Sequence, residues 1–391
     1  MPTSFALPAV DGEGLLAFSL WCVPGMGRAR AELLKARFGT LREALGQPAA
    51  SLIEAGLPAK ISALVTGGGA VRRGEAALRA CERLGVWTLQ PGDPEWPQAF
   101  ERLAFPPGVL FGLGAKPSRP AVGVVGSRAS DAFGLELARL LGRDLGAAGV
   151  SVVSGGALGV DGAAHEGALL MTQAATVAVL GCGLDLRYPP QHAGLLEKIA
   201  TRGSLVTELP PGVPPRPAHF PRRNRLIAAL SDALVVVRAA SRSGALGTAR
   251  EAQRLGLPIF AAPGPTTDLL SRGTELLLKE GASPCRGASD VLRALGLSSA
   301  PLPHEGSAEH SGLAASARRS AEPPSSLRRA AGSQSEATLL ELLGPVPVNI
   351  DSLAREARLS PADASAALTR LELAGLAARE PGNIFHRPRG S

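Results

Sequence analysis

The residues of this 391-residue chain that could hold a charged ligand lie in glycine turns, each of which follows a short apolar run. Backbone N–H groups of glycines at a strand-to-helix turn can approach an anion closely, and the helix start adds a favourable partial charge. Three such turns, at 126–128, 154–156 and 181–183, predict a ligand that carries phosphate. The predicted contacts in the first two turns are Gly126, Ser127, Arg128, Ser154, Gly155 and Gly156. Because no turn completes GxxxxGKS/T or GxGxxG, ordinary nucleoside triphosphate hydrolysis and dinucleotide redox chemistry are not expected.

A basic segment supplies the second set of candidates. No Asp or Glu occurs between Glu208 and Asp232, whereas four arginines do. Their positive charge at a predicted helix start opposes the helix dipole, which indicates a bound anion, and a polyanion is the expected partner. The alternative is a solvated cationic helix face. We expect the arginines to project toward the rim formed by the glycine turns, while Phe220, His219 and Tyr188 offer planar groups for base stacking or for packing. The predicted contacts are Phe220, Arg222, Arg223, Asn224 and Arg225.

The other polar residues give no convincing catalytic or metal site. Asp161 and His165 are four residues apart at a predicted helix start, so both could face one metal ion; alternatively, Asp161 orients the turn and His165 packs. Cys182 lies in a glycine turn without a nearby base in the sequence, which favours a buried, inert thiol. The four cysteines form no CxxC pair, so neither a zinc finger nor a disulfide scaffold fits. We expect no catalytic residue, no metal and no cofactor.

The elements that must position these residues are the strands of a parallel sheet. Six short, nearly continuous apolar runs between residues 121 and 264 are separated by segments of helix length, such as 131–149. Strands that are apolar on both faces belong to a parallel sheet covered by helices on both sides. The sequence therefore predicts an α/β fold with a doubly wound parallel sheet, whose ligands bind beyond the carboxyl ends of the strands.

The flanking segments differ from the sheet region in composition and in hydrophobic pattern. Residues 1–86 have helical patterning, and a Pro-Gly-x-Gly turn at 24–27 resembles a helix-hairpin-helix, with plain helical packing as the alternative. Residues 298–334 are rich in Ser, Ala, Pro and Gly, which predicts a flexible linker. Residues 335–391 read as three helices and two short strands, the outline of a winged helix. The sheet domain is assigned to residues 87–297.

Charge and hydropathy exclude a membrane protein at this stage. The formal net charge is +7, and no apolar run approaches the roughly 18 residues that a membrane span needs. The amino-terminal residues lack a basic flank followed by an apolar core. We expect a soluble, cytoplasmic protein without a membrane partner.

Several motifs, taken in order, resemble the DNA-processing protein A family, also called DprA or Smf. They are GSR at 126–128, SGGALGVDGAAHEGAL at 154–169, LGCGLDLRYP at 180–189, TELPPG at 207–212, FPRRNRLIAALS at 220–231, SGALGTAREA at 243–252 and APG at 262–264. The resemblance covers about residues 90–290. It implies an extended Rossmann-like domain that binds single-stranded DNA, a homodimer, and a non-enzymatic mediator that protects the strand and loads RecA in natural transformation or DNA repair. Arg128 and the arginines of FPRRNR would contact phosphates.

The chain departs from the family pattern at two places. Glu275 stands where an asparagine is expected, which puts a contact from that loop in doubt. In the winged helix, Arg370 is the only basic residue of the predicted recognition helix, so a protein-interaction or regulatory role is favoured over major-groove reading.

A second function class is a nucleotide-processing enzyme. The family's sheet domain is similar to that of nucleoside-monophosphate phosphoribohydrolases, in which case Glu208 or Asp161 would be the catalytic carboxylate. The segment 243–251 keeps the Gly, Thr and Glu of the PGGxGTxxE loop of those enzymes but lacks its Pro-Gly-Gly start.

Overall fold

The apolar runs of the sequence form adjacent strands of one nine-stranded sheet. The computed structural model describes residues 12–171, 176–265, 267–297, 334–343, 348–350, 353–354, 357, 359–374, 376–380 and 384–386. The strands are β1 (Trp87–Leu89), β2 (Leu110–Gly114), β3 (Ala121–Val125), β4 (Ser151–Ser154), β5 (Thr176–Val179), β6 (Ser204–Thr207), β7 (Ala233–Val236), β8 (Ile259–Ala261) and β9 (Ser283–Pro284). The predicted doubly wound α/β sheet is confirmed.

The order of the strands is β1-β2-β6-β5-β4-β3-β7-β8-β9. All neighbouring pairs from β6 to β9 are parallel, whereas β2 pairs antiparallel with both β1 and β6. The sheet is therefore mostly parallel, with an antiparallel edge that the sequence analysis did not predict. Both strands of this edge are short and are separated by a long loop with a 3-10 helix at Gln98–Arg102, so no regular alternation marks them.

Helices cover both faces of the sheet. They are α7 (Ala132–Ala147), α8 (Val160–Ala168), α9 (Ala193–Arg202), α10 (His219–Ala229), α11 (Gly244–Arg254), α12 (Arg272–Lys279) and α13 (Ala288–Ala294). Alternate residues of β3 enter opposite cores: Val122 and Val124 pack with α7, α8 and α13, whereas Ala121 and Val125 pack with α10 and α11. This two-sided burial explains the continuous apolar runs.

Among the described residues, six helices precede the sheet. They are α1 (Gly12–Trp21), α2 (Arg28–Phe38), α3 (Leu41–Leu45), α4 (Ala49–Glu54), α5 (Ala59–Val65) and α6 (Gly69–Leu84). Leucines such as Leu20, Leu34 and Leu52 form a core among them, while Phe18 of α1 packs edge-on against Phe111 of β2. These helices belong to the same compact unit as the sheet, Met1–Pro303. The boundary at residue 86 stays a prediction.

The second compact unit is His304–Ser391. Its described elements are helices Gln334–Leu342 and Pro361–Leu373 and a three-stranded antiparallel sheet with strands Val348–Asn349, Ala378–Glu380 and Ile384–His386. The winged-helix prediction is confirmed, with one short strand more than expected. The predicted linker lies outside the described residues except for Gln334, which begins the first helix. No helix in the described parts of either unit is long and apolar enough to cross a membrane.

Candidate nucleic-acid interface

A large cleft of the first unit lies where the strand order reverses. From β3 the chain adds β4, β5 and β6 on one side, whereas β7, β8 and β9 extend the sheet on the other side. At such a switch point the helices that follow neighbouring strands diverge and leave a crevice beyond the carboxyl ends. The crevice here has a volume of about 920 Å³, and we call it the switch-point cleft. Its charged lining residues are Arg128, Arg223, Arg242, Arg250 and Arg254 against Asp161 and Glu251.

A stack of one guanidinium group and two aromatic rings lies in the wall of the cleft. The Arg128 guanidinium carbon is 5.3 Å from the centroid of the Phe220 ring, and the Tyr188 ring is 5.6 Å from that of Phe220 at an interplanar angle of 32°. Arg128 is exposed and has no ion-pair partner among the residues described. Rings and guanidinium planes of this kind are surfaces on which bases of a single strand can stack. The structure thus brings together Arg128 of the first glycine turn and Phe220 of the basic segment.

The second glycine turn lies beneath the surface. Ser154, Gly155 and Gly156 are all buried and do not line the cleft. The Ser154 hydroxyl donates to the Val124 carbonyl at 2.6 Å, and the Gly155 amide donates to the Asp161 carboxylate at 3.1 Å. The Gly155 amide, which the sequence analysis assigned to phosphate, therefore already has an anionic partner inside the protein.

That internal partner, Asp161, is buried and interacts electrostatically with Arg223. The Arg223 side chain is buried, and its Nη1 atom donates to the Gly155 carbonyl at 2.6 Å and to the Val179 carbonyl. Burial raises the pKa of Asp161, and the Arg223 charge opposes that rise. Burial lowers the pKa of Arg223 to about 10, while Asp161 acts in the opposite direction. Because its carboxylate accepts from the Gly155 amide, Asp161 orients the turn, which is one of the two roles predicted for it.

Two further arginines of the basic segment, Arg222 and Arg225, are partly neutralised. Arg225 is buried, and its Nη2 atom lies 2.6 Å from Glu208, while Nε of Arg222 lies 3.2 Å from the same carboxylate. Burial lowers the pKa of Arg225, and Glu208 opposes that shift. The expectation that all of these arginines project toward the rim is wrong for Arg225, because Glu208, at the edge of the segment, returns to pair with it. Of this segment, Phe220, Arg223 and Asn224 line the switch-point cleft.

The sequence analysis missed three cationic residues of the cleft. Arg242 follows β7 in the turn before α11, and Arg250 and Arg254 lie on α11. Arg254 pairs with Glu251, whereas Arg242 and Arg250 have no ion pair within the described part of the chain. The rule that ligands bind beyond the carboxyl ends of strands would have found Arg242, because the predicted strand ALVVVR ends just before it.

His165 and Cys182 are buried, as predicted from the sequence. Nδ1 of His165 lies 2.8 Å from Oγ1 of Thr176, and burial lowers the pKa of His165 to about 3. Burial raises the pKa of Cys182 to about 11, which leaves its thiol protonated and unreactive at neutral pH. The described residues contain no cluster of three or more His, Cys, Asp or Glu that could hold a metal ion.

Comparisons with known proteins show which family this chain resembles. The family model described as DNA recombination-mediator protein A matches residues 87–296, and that of the DprA winged helix domain matches residues 316–383. The protein Smf of Synechocystis is 34% identical over 327 residues, which are 76% of this chain and 79% of the relative. The protein Smf of Escherichia coli is 41% identical over 212 residues, 53% of this chain and 56% of the relative. The X-ray structure of DNA processing protein A from Streptococcus pneumoniae superposes with a TM-score of 0.60 at 27% identity, over 73% of this chain and 98% of that one.

Proposed function

Since the chain belongs to the DNA recombination-mediator protein A family, we propose that it binds single-stranded DNA in the switch-point cleft, protects the strand and loads the RecA recombinase onto it. The processes served would be natural transformation or DNA repair in the cytoplasm. One observation carries the DNA-binding step: the Arg128, Phe220 and Tyr188 stack borders a cleft with an excess of arginines. Stacking is available only from unpaired bases, and the arginines supply phosphate contacts, so the cleft favours a single strand over a duplex.

The test uses the arginines that are free to meet a phosphate. Arg128, Arg242 and Arg250 are changed together to Ala, because truncating the buried Arg223 or Arg225 would disturb the fold. The control changes Arg37, Lys60 and Arg73, three exposed cations of the amino-terminal helices, to Ala and so removes the same charge elsewhere. Fluorescence anisotropy with labelled single-stranded and duplex oligonucleotides across a salt series should show salt-sensitive, single-strand-preferring binding that only the first variant loses. Equal loss in both variants would leave only a general effect of charge.

We also propose a homodimer, with two exposed leucines as candidate contacts. Leu269 is 60% exposed and Leu276 is 44% exposed, before and on α12. Apolar side chains exposed in this way are typical of an interface with another protein surface when they form a patch. Changing both to Arg should convert a dimer into a monomer in light scattering, while the control Leu33→Arg on α2 should not.

RecA loading would then be followed as the rate of RecA filament growth on a strand coated with each variant.

The enzyme alternative has one observation in its favour. Gly247, Thr248 and Glu251, the residues kept from the phosphoribohydrolase loop, line the switch-point cleft. However, both carboxylates that the sequence analysis considered already have partners: Glu208 is paired with Arg225, and the buried Asp161 accepts from the Gly155 amide. Incubation with nucleoside monophosphates should release no free base. Base release that is lost in Glu251→Gln would replace the DNA-binding proposal by the enzyme.

A further inference from the structure

A second cavity of about 250 Å³ lies next to the switch-point cleft, and the function proposed above does not use it. One wall is the turn between α1 and α2, residues 21–27, which contains the Pro-Gly-x-Gly motif. The opposite wall consists of Gly181 after β5 and residues 208–214 after β6. We call it the hairpin cavity. Two secondary-structure layers far apart in the sequence therefore enclose one space.

The two spaces are separated by a single segment of chain. Pro217 and Phe220 line the switch-point cleft, whereas the neighbouring Arg216 and His219 line the hairpin cavity. Arg223 lines both. A strand that leaves the cleft at Phe220 has to pass only the start of α10 to reach the cavity.

The hairpin cavity carries a positive charge. Arg216, Arg222 and Arg223 line it, and Glu208 is the carboxylate among its lining residues. Glu208 is already paired with Arg222 and Arg225. Arg216 is exposed and forms no ion pair with any residue that the structure describes. An anionic group that enters this space therefore meets a cation that has no internal partner.

Hydrogen-bond donors without acceptors lie in the same wall. The Nε1 atom of Trp21 is buried and has no hydrogen-bond partner. Its indole ring packs on Gly108, where a Cβ atom would lie 2.4 Å from the ring. Gly27 is the N-cap of the 11-residue helix α2 and offers no side chain to the first amides of that helix. An aromatic ring, the amides of a helix start and an unpaired arginine are groups that can bind a base joined to a phosphate.

We propose that the hairpin cavity is a second nucleotide subsite, in which a base packs beside Trp21 and its phosphate is bound by Arg216 and the start of α2. The volume of about 250 Å³ lies below the range of about 300–1,000 Å³ of sites for drug-sized ligands, so the cavity holds at most one nucleotide. The nucleotide is either the next unit of a strand bound in the cleft or a free nucleoside monophosphate. The first of these sources rests on the proposed function.

Gly27 allows a test that spares the fold. Its backbone is extended, with φ −107° and ψ 171°, and a Cβ atom built there meets nothing within 4 Å. Asp and Asn are both favoured N-cap residues, so Gly27→Asp and Gly27→Asn should each keep or improve stability. Only Asp adds a negative charge to the cavity. Asn is thus the matched control for charge, and Arg216→Ala removes the unpaired cation independently.

The experiment compares binding of three probes to the full chain: thymidine monophosphate by calorimetry, and oligothymidylates of about four and about twelve nucleotides by anisotropy. If the nucleotide belongs to a bound strand, Gly27→Asp and Arg216→Ala should each lower the affinity for the long oligonucleotide about 5-fold or more. Gly27→Asn should lower this affinity less. The affinity for the short oligonucleotide should be unchanged in all three variants. Arg216→Ala should also lower the salt slope of the long oligonucleotide by about 0.7. If the free nucleotide is the source, the monophosphate binds and loses its binding in Gly27→Asp.

The failure of the two proposals can be told apart. A wild-type chain that binds the long oligonucleotide, with both variants binding it equally well and no monophosphate binding, overturns the hairpin cavity alone. A wild-type chain that binds neither oligonucleotide overturns the DNA-binding function. In that case monophosphate binding that depends on Gly27 still supports the cavity, and its absence overturns the cavity as well.

Discussion

Replacing Phe220 by leucine tests whether bases stack in the switch-point cleft. Leucine keeps an apolar side chain of similar size but has no π face for Arg128, Tyr188 or a base to contact. Stacking of one base on an aromatic side chain contributes about 1–3 kcal/mol. At about 1.4 kcal/mol per tenfold change in affinity, the variant should bind single-stranded DNA about 5- to 150-fold more weakly. Phe220 carries no charge, so the salt dependence should not change.

The assay is fluorescence anisotropy with a labelled oligothymidylate at several salt concentrations. Arg250→Ala serves as the opposite perturbation, because it removes one unpaired cation of the cleft and no ring. For this variant, the slope of log affinity against log salt concentration should be smaller in magnitude by about 0.7, which is the contribution of one phosphate contact with a single strand. Plotted against salt, the Phe220→Leu line should be parallel to that of the wild type, and the Arg250→Ala line should be less steep.

Phe105→Leu is the matched control for the loss of a ring. Phe105 is 72% exposed and lines neither the switch-point cleft nor the hairpin cavity. Its substitution should leave affinity within about twofold. If Phe220→Leu also stays within twofold of the wild type, the bases do not stack on this ring, and the reasoning from the Arg128, Phe220 and Tyr188 geometry is refuted.

Three further predictions concern the buried charges and the second unit. Arg225→Ala should lower the free energy of unfolding by about 3 kcal/mol in urea denaturation, because it breaks a buried ion pair. Arg222 is half-exposed, so Arg222→Ala should lower the free energy of unfolding by less than about 1 kcal/mol. Equal losses of stability in the two variants would contradict the burial argument. Because the folded-state pKa of His165 lies below its unfolded value, the unfolded chain takes up more protons in acid, so this contribution to stability is complete above pH 6.5 and is lost as pH falls toward 3. Between pH 7.5 and 5.5 the loss should be about 1.4 kcal/mol, and His165→Gln should lack this part of the pH dependence. Arg370→Ala should leave DNA affinity unchanged, since Arg370 is paired with Glu336 on the neighbouring helix of the second unit; a tenfold loss would assign DNA binding to the winged helix.

The amino-acid sequence was sufficient to predict the parallel part of the sheet and the strand ends that border the switch-point cleft. Strands covered on both faces must be apolar throughout, and the turns after them must contain glycine where the chain adopts positive φ, as Gly156 and Gly159 do at +67° and +79°. These requirements are local, so they can be read from consecutive residues. The antiparallel strands β1 and β2 were missed because both are short and a long loop with a 3-10 helix separates them, so no regular alternation marks them.

Which polar side chains are free to meet a ligand depends on the tertiary structure. The sequence contains one basic segment, but folding buries Arg223 against Asp161 and Arg225 against Glu208, and it leaves Arg128, Arg242 and Arg250 exposed in the cleft instead. The hairpin cavity likewise exists only because the turn before α2 meets the loops after β5 and β6. Sequence alone identified the residue types and the sheet edge, since those follow from local geometry. Burial and pairing follow from contacts between distant residues, so only the tertiary structure decided which groups form the binding surface.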